Sequence, residues 1–487
     1  MMLPAFLQDF AYAPMLPEIF LSVAAILLLL AGAFGDGKQS TKSGWLAILM
    51  LAVTAMLVAA QSDTPTSLFD DAVKFDPFGR FMKLLILAGS AVTILMSFSY
   101  LRSTKLLKFE FPVLIMLATV GMMLMASANN LIALYMALEM QSLTLYVLAA
   151  FRRDTTASSE AGLKYFILGA LSSGLLLYGC SLIYGFTGTT SFTGIATALA
   201  APEHSVGLTF GLVFVLTGIA FKIAAVPFHM WTPDVYQGAP TPVTAFFAAA
   251  PKVAAFALLI RVLQDAFPAA SVASEWKQIV MVLSVASMLL GSFAAIMQTN
   301  IKRLMAYSSI GHAGYALVGL VSGAPSDSYG ISGVMIYLAI YVAMTLGTFA
   351  CILAMRRDGE FVENISDLSG LARTQPMLAF MLAMLLFSMA GIPPLAGFFA
   401  KWYVFLAAIK AELYWLAAIG IVTSVVSAFY YLAIIARMYF AEPAPRFDAM
   451  PTSLRFVVGI SGIIVLFLFI PLNSLVVAAE AAAKSLF

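Results

Sequence analysis

Residues 218–236 read GIAFKIAAVPFHMWTPDVY, an apolar run that carries Lys222 and then Pro227, and residues 390–402 read AGIPPLAGFFAKW, where Gly391, Pro393, Pro394 and Gly397 precede Lys401. Proline lacks a backbone N–H and its ring clashes with the preceding turn, so neither stretch can run as a plain helix. In hydrocarbon, the backbone groups freed at such a break must be met by protein or by a wet cavity. Paired Gly/Pro-interrupted spans at corresponding places are the sequence sign of an inverted-repeat transporter.

The rest of the chain fits that reading. Of 487 residues, 62% are hydrophobic and only 10% are charged (26 Lys+Arg, 24 Asp+Glu, net +2). A soluble chain carries about a quarter charged residues, so an ordinary cytosolic enzyme, a disordered protein and a nucleic-acid-binding protein are excluded. Apolar runs fall at about 15–35, 44–60, 78–100, 109–126, 128–151, 164–187, 206–236, 241–262, 277–299, 301–323, 329–355, 376–409, 412–438 and 454–480. Each provides roughly the 20 residues that cross a bilayer, or more, the two longest being the broken runs 206–236 and 376–409, and they lack the alternation of a membrane barrel. The fold class expected is an all-α polytopic membrane protein of about 14 transmembrane helices. The two broken spans, the seventh and the twelfth, are five apart, which suggests repeats made of spans 4–8 and 9–13. An odd repeat length gives the two units opposite topology. The expected organisation is a single transmembrane domain over 1–487, with a three-helix segment at 1–108, repeats at 109–262 and 276–440, and a final helix at 454–480.

Lys and Arg in short loops set orientation. With the N-terminus outside, fifteen basic residues, Lys38 and Lys302 among them, fall on the cytoplasmic side. Six (Lys74, Arg80, Arg261, Lys277, Lys410, Lys484) fall on the other. Both termini are therefore expected outside. The start has acids before its first apolar run and no basic n-region, so it does not read as a signal peptide. Cys180 and Cys351 lie inside apolar runs and read as buried structural residues.

Four ionisable residues fall near the centre of their spans: Glu139 in 127–151, Lys222 at the first break, Lys252 in 240–262 and Lys401 after the second break. A charge at that depth costs several kcal/mol unless paired or hydrated, and it marks a functional site by default. Burial disfavours a charged lysine and a nearby carboxylate favours it, which is what a proton relay needs. The bland alternative is a static Glu139–Lys222 pair. Ser308, His312 and Tyr315 share one helical face and could carry a hydrogen-bonded chain past His312. His229 could instead cap freed backbone, Lys83 is expected to snorkel to the interface, and Lys164, Glu160 and Glu110 could form an antechamber at the cytoplasmic ends of their spans. Among nucleotide, flavin, haem, zinc and iron–sulfur motifs, none is found.

The stretches 137–148 (ALEMQSLTLYVL), 158–174 (SSEAGLKYFILGALSSG), 218–247, 301–319 (IKRLMAYSSIGHAGYALVG) and 390–402 resemble the antiporter-like membrane subunits of respiratory complex I and of the related multisubunit sodium/proton antiporters. The resemblance covers nearly the whole chain, and PFHMWTPDVYQGAPTPV (227–243) is its most specific part. It implies that Glu139, Lys222, Lys252 and Lys401 translocate protons and that His312 links two half-channels. Within the family the chain is most similar to the bacterial member nearest the quinone-binding half. The larger member adds a long amphipathic helix, and the middle member has a glutamate in place of Lys401. A non-redox, proton-translocating subunit of NADH:quinone oxidoreductase is implied, with a cation/proton antiporter subunit as the alternative. No cofactor is expected in this chain; NADH, FMN, iron–sulfur clusters and quinone are expected in partner subunits. The implied partners are the other membrane-arm subunits, including the two other antiporter-like subunits and the small subunits near the quinone site, together with lipids. The implied location is the bacterial inner membrane.

Overall fold

Capping residues, proline and glycine decide where the helices begin and end. Asp76 opens the third span: its Oδ1 accepts from the Gly79 N–H at 2.8 Å and Pro77 takes the first helical position, where a missing N–H costs nothing. The computed structural model describes residues 12–35, 40–200, 205–323 and 328–487; Lys38 of the orientation count and the acid at Asp9 lie outside them.

Helices α1 (Leu16–Ala33), α2 (Ser40–Ala59) and α3 (Pro77–Ser103) come first, with a small antiparallel hairpin, β1 (Thr66–Leu68) and β2 (Val73–Phe75), before α3. Then follow α4 (Glu110–Ser127), α5 (Leu131–Ala149), α6 (Thr156–Thr187), α7 (Val206–Ile223), the short α8 (Thr232–Gly238), α9 (Thr241–Ala248) and α10 (Ala250–Arg261). The second series is α11 (Ala270–Ile296), α12 (Ile301–Ser322), α13 (Tyr329–Leu353), α14 (Pro376–Ala390), α15 (Ala396–Lys410) and α16 (Tyr414–Phe440), closed by α17 (Thr452–Phe467) and α18 (Leu472–Lys484). Both series run as three long helices, a broken span and a fifth span, and five crossings turn the second over relative to the first. Among the described residues, twelve helices are long and apolar enough to cross a membrane, and the α17–α18 pair makes a thirteenth if taken as one span. The remaining apolar run is the α14–α15 span, built from two 15-residue halves.

Two spans differ from the sequence reading. The final run, expected as one helix over 454–480, bends by 90° between α17 and α18, at Pro471, which cannot continue α17. The eighth run is interrupted at Ala249 (φ −109°, ψ −93°), one residue before α10 and two before Pro251.

Helices α9, α10, α12 and α13 lie at the centre, and nearly all their residues are buried. The outer helices carry exposed Ile132, Leu171, Trp402 and Val422, as a surface solvated by lipid allows. Close backbone approach binds α11 to α12: a Cβ on Gly291 would lie 2.5 Å from the Gly311 nitrogen, the small-residue contact that lets membrane helices associate.

Lys83 does not snorkel. It is 1% exposed and lies 2.6 Å from the equally buried Glu18 of α1, so the N-terminal trio encloses an ion pair of its own. Arg261 is likewise fully buried, bonded through Nη2 to Asp76 Oδ1 at 2.8 Å, and Lys302 reaches Glu363 at 2.9 Å; neither is a solvated loop charge. Breaking a buried pair strands its partner at a cost of about 3–5 kcal/mol, whereas apolar replacement of both members is often neutral. Lys83→Met alone is therefore expected to lower thermal stability of the detergent-solubilised protein clearly, and Glu18→Leu with Lys83→Met to recover it. A double variant as unstable as the single one would contradict the pairing.

Candidate functional site

Lys222 is placed by the end of α7. Ala224, at φ +61°, closes that helix in the left-handed region, and the chain turns away through Pro227 so that Lys222 stays in the last buried turn. Its ammonium donates to Ser142 Oγ at 2.7 Å and to the Tyr146 hydroxyl at 3.4 Å, both on α5. The carbonyl of Phe221 accepts from the Ala224 N–H and from Trp231 Nε1 at 3.0 Å, and His229 is hydrogen-bonded to the Pro227 carbonyl, so both side chains meet backbone groups at the break. Glu139 is not ion-paired to Lys222. It is half-buried and accepts a short hydrogen bond from Ser173 of α6, while Tyr146 lies within reach of Ser173. Glu139, Ser173, Tyr146 and Lys222 thus form a polar sequence in which hydroxyls separate the acid from the base.

Lys252 follows the interruption at Ala249, in the first turn of α10. Its Nζ donates to the Ser309 carbonyl at 2.9 Å and makes a short contact with Ser309 Oγ. Ser309 also accepts from the Tyr341 hydroxyl at 3.0 Å and lies 3.5 Å from that of Tyr236. One turn further along α12, His312 bonds Tyr337 through Nδ1 at 2.6 Å and Tyr431 through Nε2 at 3.2 Å; Tyr431 in turn meets Ser308 at 2.5 Å. His312 is within electrostatic range of both Lys252 and Lys401.

Lys401 sits in the second turn of α15, just past the other break. Gly391 ends α14 at φ +88°, a conformation that favours glycine, and a Cβ there would displace the Lys401 side chain, 2.9 Å away. The Lys401 ammonium donates to the Ala390 carbonyl, left free at the end of α14, at 2.9 Å and to Ser424 Oγ at 2.7 Å. It also lies 5.0 Å from the centre of the Tyr315 ring. Tyr315 bonds Ser427 at 3.3 Å, so the face shared by Ser308, His312 and Tyr315 is polar along its length.

The five central residues therefore form two clusters. One is Glu139 with Lys222; the other is Lys252, His312 and Lys401. Between them stand stacked aromatics, with Tyr165 on Trp231 at 4.4 Å and Trp231 near Tyr236 at 6.2 Å. Lys164 joins neither cluster: it pairs with Glu160 and with Asp234, each at 2.7 Å, and Asp234 also holds Arg303 at 2.6 Å. His229 lies half-buried outside both, its Nδ1 without a hydrogen-bond partner. Glu110 lines an open groove of about 570 Å3 with Lys108 and with Tyr146, the hydroxyl partner of Lys222. The sequence reading missed the hydroxyl partners Ser142, Tyr146, Ser173, Ser309, Tyr337, Tyr341, Ser424 and Tyr431. A signal existed in Tyr337 and Tyr341, one turn apart in a helix without charged residues, because a buried tyrosine hydroxyl usually finds a partner. Among the described residues, no group of three or more His, Cys, Asp or Glu side chains is placed to hold a metal.

Residues 128–427, which contain all five central residues, match the sequence profile described as NADH:quinone oxidoreductase/Mrp antiporter, TM. The chain belongs to the NADH:quinone oxidoreductase/Mrp antiporter membrane family. It is 57% identical over 476 residues, 98% of each chain, to NADH-quinone oxidoreductase subunit N of Parvibaculum lavamentivorans. It is similar at 33% identity and a TM-score of 0.82 to a chain of respiratory complex I from Thermus thermophilus, covering 96% of this chain and 99% of that one. A chain of the Mrp complex from Dietzia sp. matches with a TM-score of 0.84 at 21% identity, over 97% of each chain, which is a likeness of fold. The Glu18–Lys83 pair of α1 and α3 lies outside the stretch that matches the family profile.

Proposed function

We propose that this chain is the proton-translocating, non-redox subunit of a bacterial NADH:quinone oxidoreductase that its relatives' name, subunit N, denotes. The observation that carries the reading is the set of bonds made by the three buried lysines: hydroxyls and backbone carbonyls, with no carboxylate within ion-pair distance among the described residues. A lysine in a tight buried ion pair cannot give up its proton without stranding a carboxylate in low dielectric. An ammonium held by neutral acceptors leaves no such charge behind, and the hydroxyls that hold it both donate and accept.

A proton reaches Lys222 from the groove floored by Tyr146 and bordered by Glu110. Glu139 sets how strongly Lys222 holds it, through the intervening Ser173 and Tyr146. Transfer past the aromatic wall brings it to Lys252, and the Ser309, Tyr341, His312 and Tyr431 groups relay it toward Lys401. The segments 109–262 and 276–440 then act as two half-channels, with 1–108 and 454–480 flanking them. His229 and Lys164 lie off this path, Lys164 as part of the ion cluster that joins α6, α8 and α12. Quinone reduction in partner subunits, which hold the FMN, iron–sulfur clusters and NADH and quinone sites, changes the charge or hydration near one end of the path. The other antiporter-like and small membrane-arm subunits adjoin this chain in the inner membrane, with both termini periplasmic.

Purification from native membranes through a tag on this chain is expected to bring down subunits that oxidise NADH. Recovery with small antiporter subunits and without NADH oxidation would instead assign it to a cation/proton antiporter.

A further inference from the structure

Between the N-terminal ends of α14 and α17 lies an open groove of about 510 Å3. Its walls are apolar, with Met377, Met381 and Val458 along them, and its mouth carries Arg446, Arg455 and Gln375; among the described residues no carboxylate lines it. Three neighbouring arginines are engaged: Arg356 with Asp448 at 2.8 Å, Arg357 with Asp367 at 3.3 Å and Arg373 near Glu442 at 3.9 Å. Arg446 and Arg455 are exposed and have no ion-pair or hydrogen-bond partner among the described residues.

The mouth is built to stay open. The loop that carries Arg446 is pinned on both sides, by Asp448 on Arg356, by Arg357 donating to the Pro445 carbonyl at 3.0 Å, and by Gln375 donating to the Phe447 carbonyl at 2.8 Å. Arg356 and two backbone N–H groups hold the half-buried Asp448 carboxyl below its usual range, so the loop stays anchored at neutral pH. Two unpaired guanidiniums above an apolar slot match one chemistry, an anionic head on hydrocarbon tails. Guanidinium donors fit phosphate oxygens, and basic pockets between membrane helices on the cytoplasmic side bind anionic lipid heads. Arg446 and Arg455 belong to the majority side of the orientation count, where that leaflet is expected.

We propose that this groove is a binding site for an anionic membrane phospholipid, with its phosphodiester between Arg446 and Arg455 and an acyl chain along Met377, Met381 and Val458. The lipid braces the start of α14, the half-span whose other end offers the Ala390 carbonyl to Lys401.

The test uses the intact complex carrying Arg446→Gln and Arg455→Gln, stripped of lipid and returned to phosphatidylcholine nanodiscs into which cardiolipin is titrated. Each arginine near an anionic head contributes about 1 kcal/mol, so the expected effect is about thirtyfold weaker cardiolipin retention. Arg446→Lys with Arg455→Lys should retain most of the binding. A photo-crosslinker at Met377 should label phospholipid in the parent complex and lose that label in the glutamine pair. Unchanged cardiolipin affinity in the glutamine pair, or a Met377 crosslink to another polypeptide in place of lipid, would overturn the proposal. Neither readout depends on proton transfer, so its failure leaves the proposed function untouched.

Discussion

Lys222→Met is expected to remove most NADH-driven proton translocation while leaving the complex assembled. A positioned proton-transfer group typically contributes a factor of about 10²–10⁴, so translocation in inverted membrane vesicles should fall at least about tenfold even if water replaces the lysine in part. Assembly should survive because no opposite charge is stranded. Glu139 is half-buried and already bonded to Ser173, and Ser142 keeps its bond to the Leu138 carbonyl at 2.5 Å. The folding cost is that of one or two hydrogen bonds, about 1–2 kcal/mol. Lys222→Arg separates the possible roles, because arginine keeps the positive charge and does not release its proton. It should be as inactive in translocation as the methionine variant. Activity close to that of the parent would mean that a fixed charge is all the site needs.

Lys252→Met should have an effect of the same size through a different route. Lys252 is 2% exposed and holds both polar atoms of Ser309. Removing it takes away the ammonium bonded to Ser309 and leaves the Ser309–Tyr341 pair and the His312–Tyr431–Ser308 group intact. Coupled NADH oxidation and translocation should fall together, with subunit content unchanged on native gels. Lys401→Met, by contrast, should also cost stability. It removes the main donor to the carbonyl that the α14 break leaves free, and Ser424 lies 3.5 Å from that oxygen. A loss of assembly confined to Lys401 would follow from this difference in partners.

The two principal breaks were legible because proline forbids a continuous helix locally, whatever packs around it, and Lys222 and Lys401 sit where that rule places them. The interruption at Ala249 and the bend at Pro471 contain or adjoin proline as well, yet each lay inside an apolar run long enough to read as one span. What shows the break is a backbone angle imposed by packing against neighbouring helices. Depth was harder to read. Lys83 stands five residues inside its span, close enough to an interface to snorkel, and only the fold brings Glu18, 65 positions earlier, within 2.6 Å. Glu139 and Lys222 are joined only through hydroxyls, which occur throughout apolar helices. Which serine faces which lysine depends on helix rotation, and no local pattern encodes that.

The central claim is that the buried lysines carry protons and do more than prop the helices apart. The most direct measurement is NADH-driven acidification of inverted vesicles, recorded with NADH oxidation, for a variant with Lys222, Lys252 and Lys401 all replaced by methionine and compared at equal content of assembled complex. The account predicts that acidification and coupled oxidation both collapse. Acidification equal to that of the parent at equal assembly would contradict it.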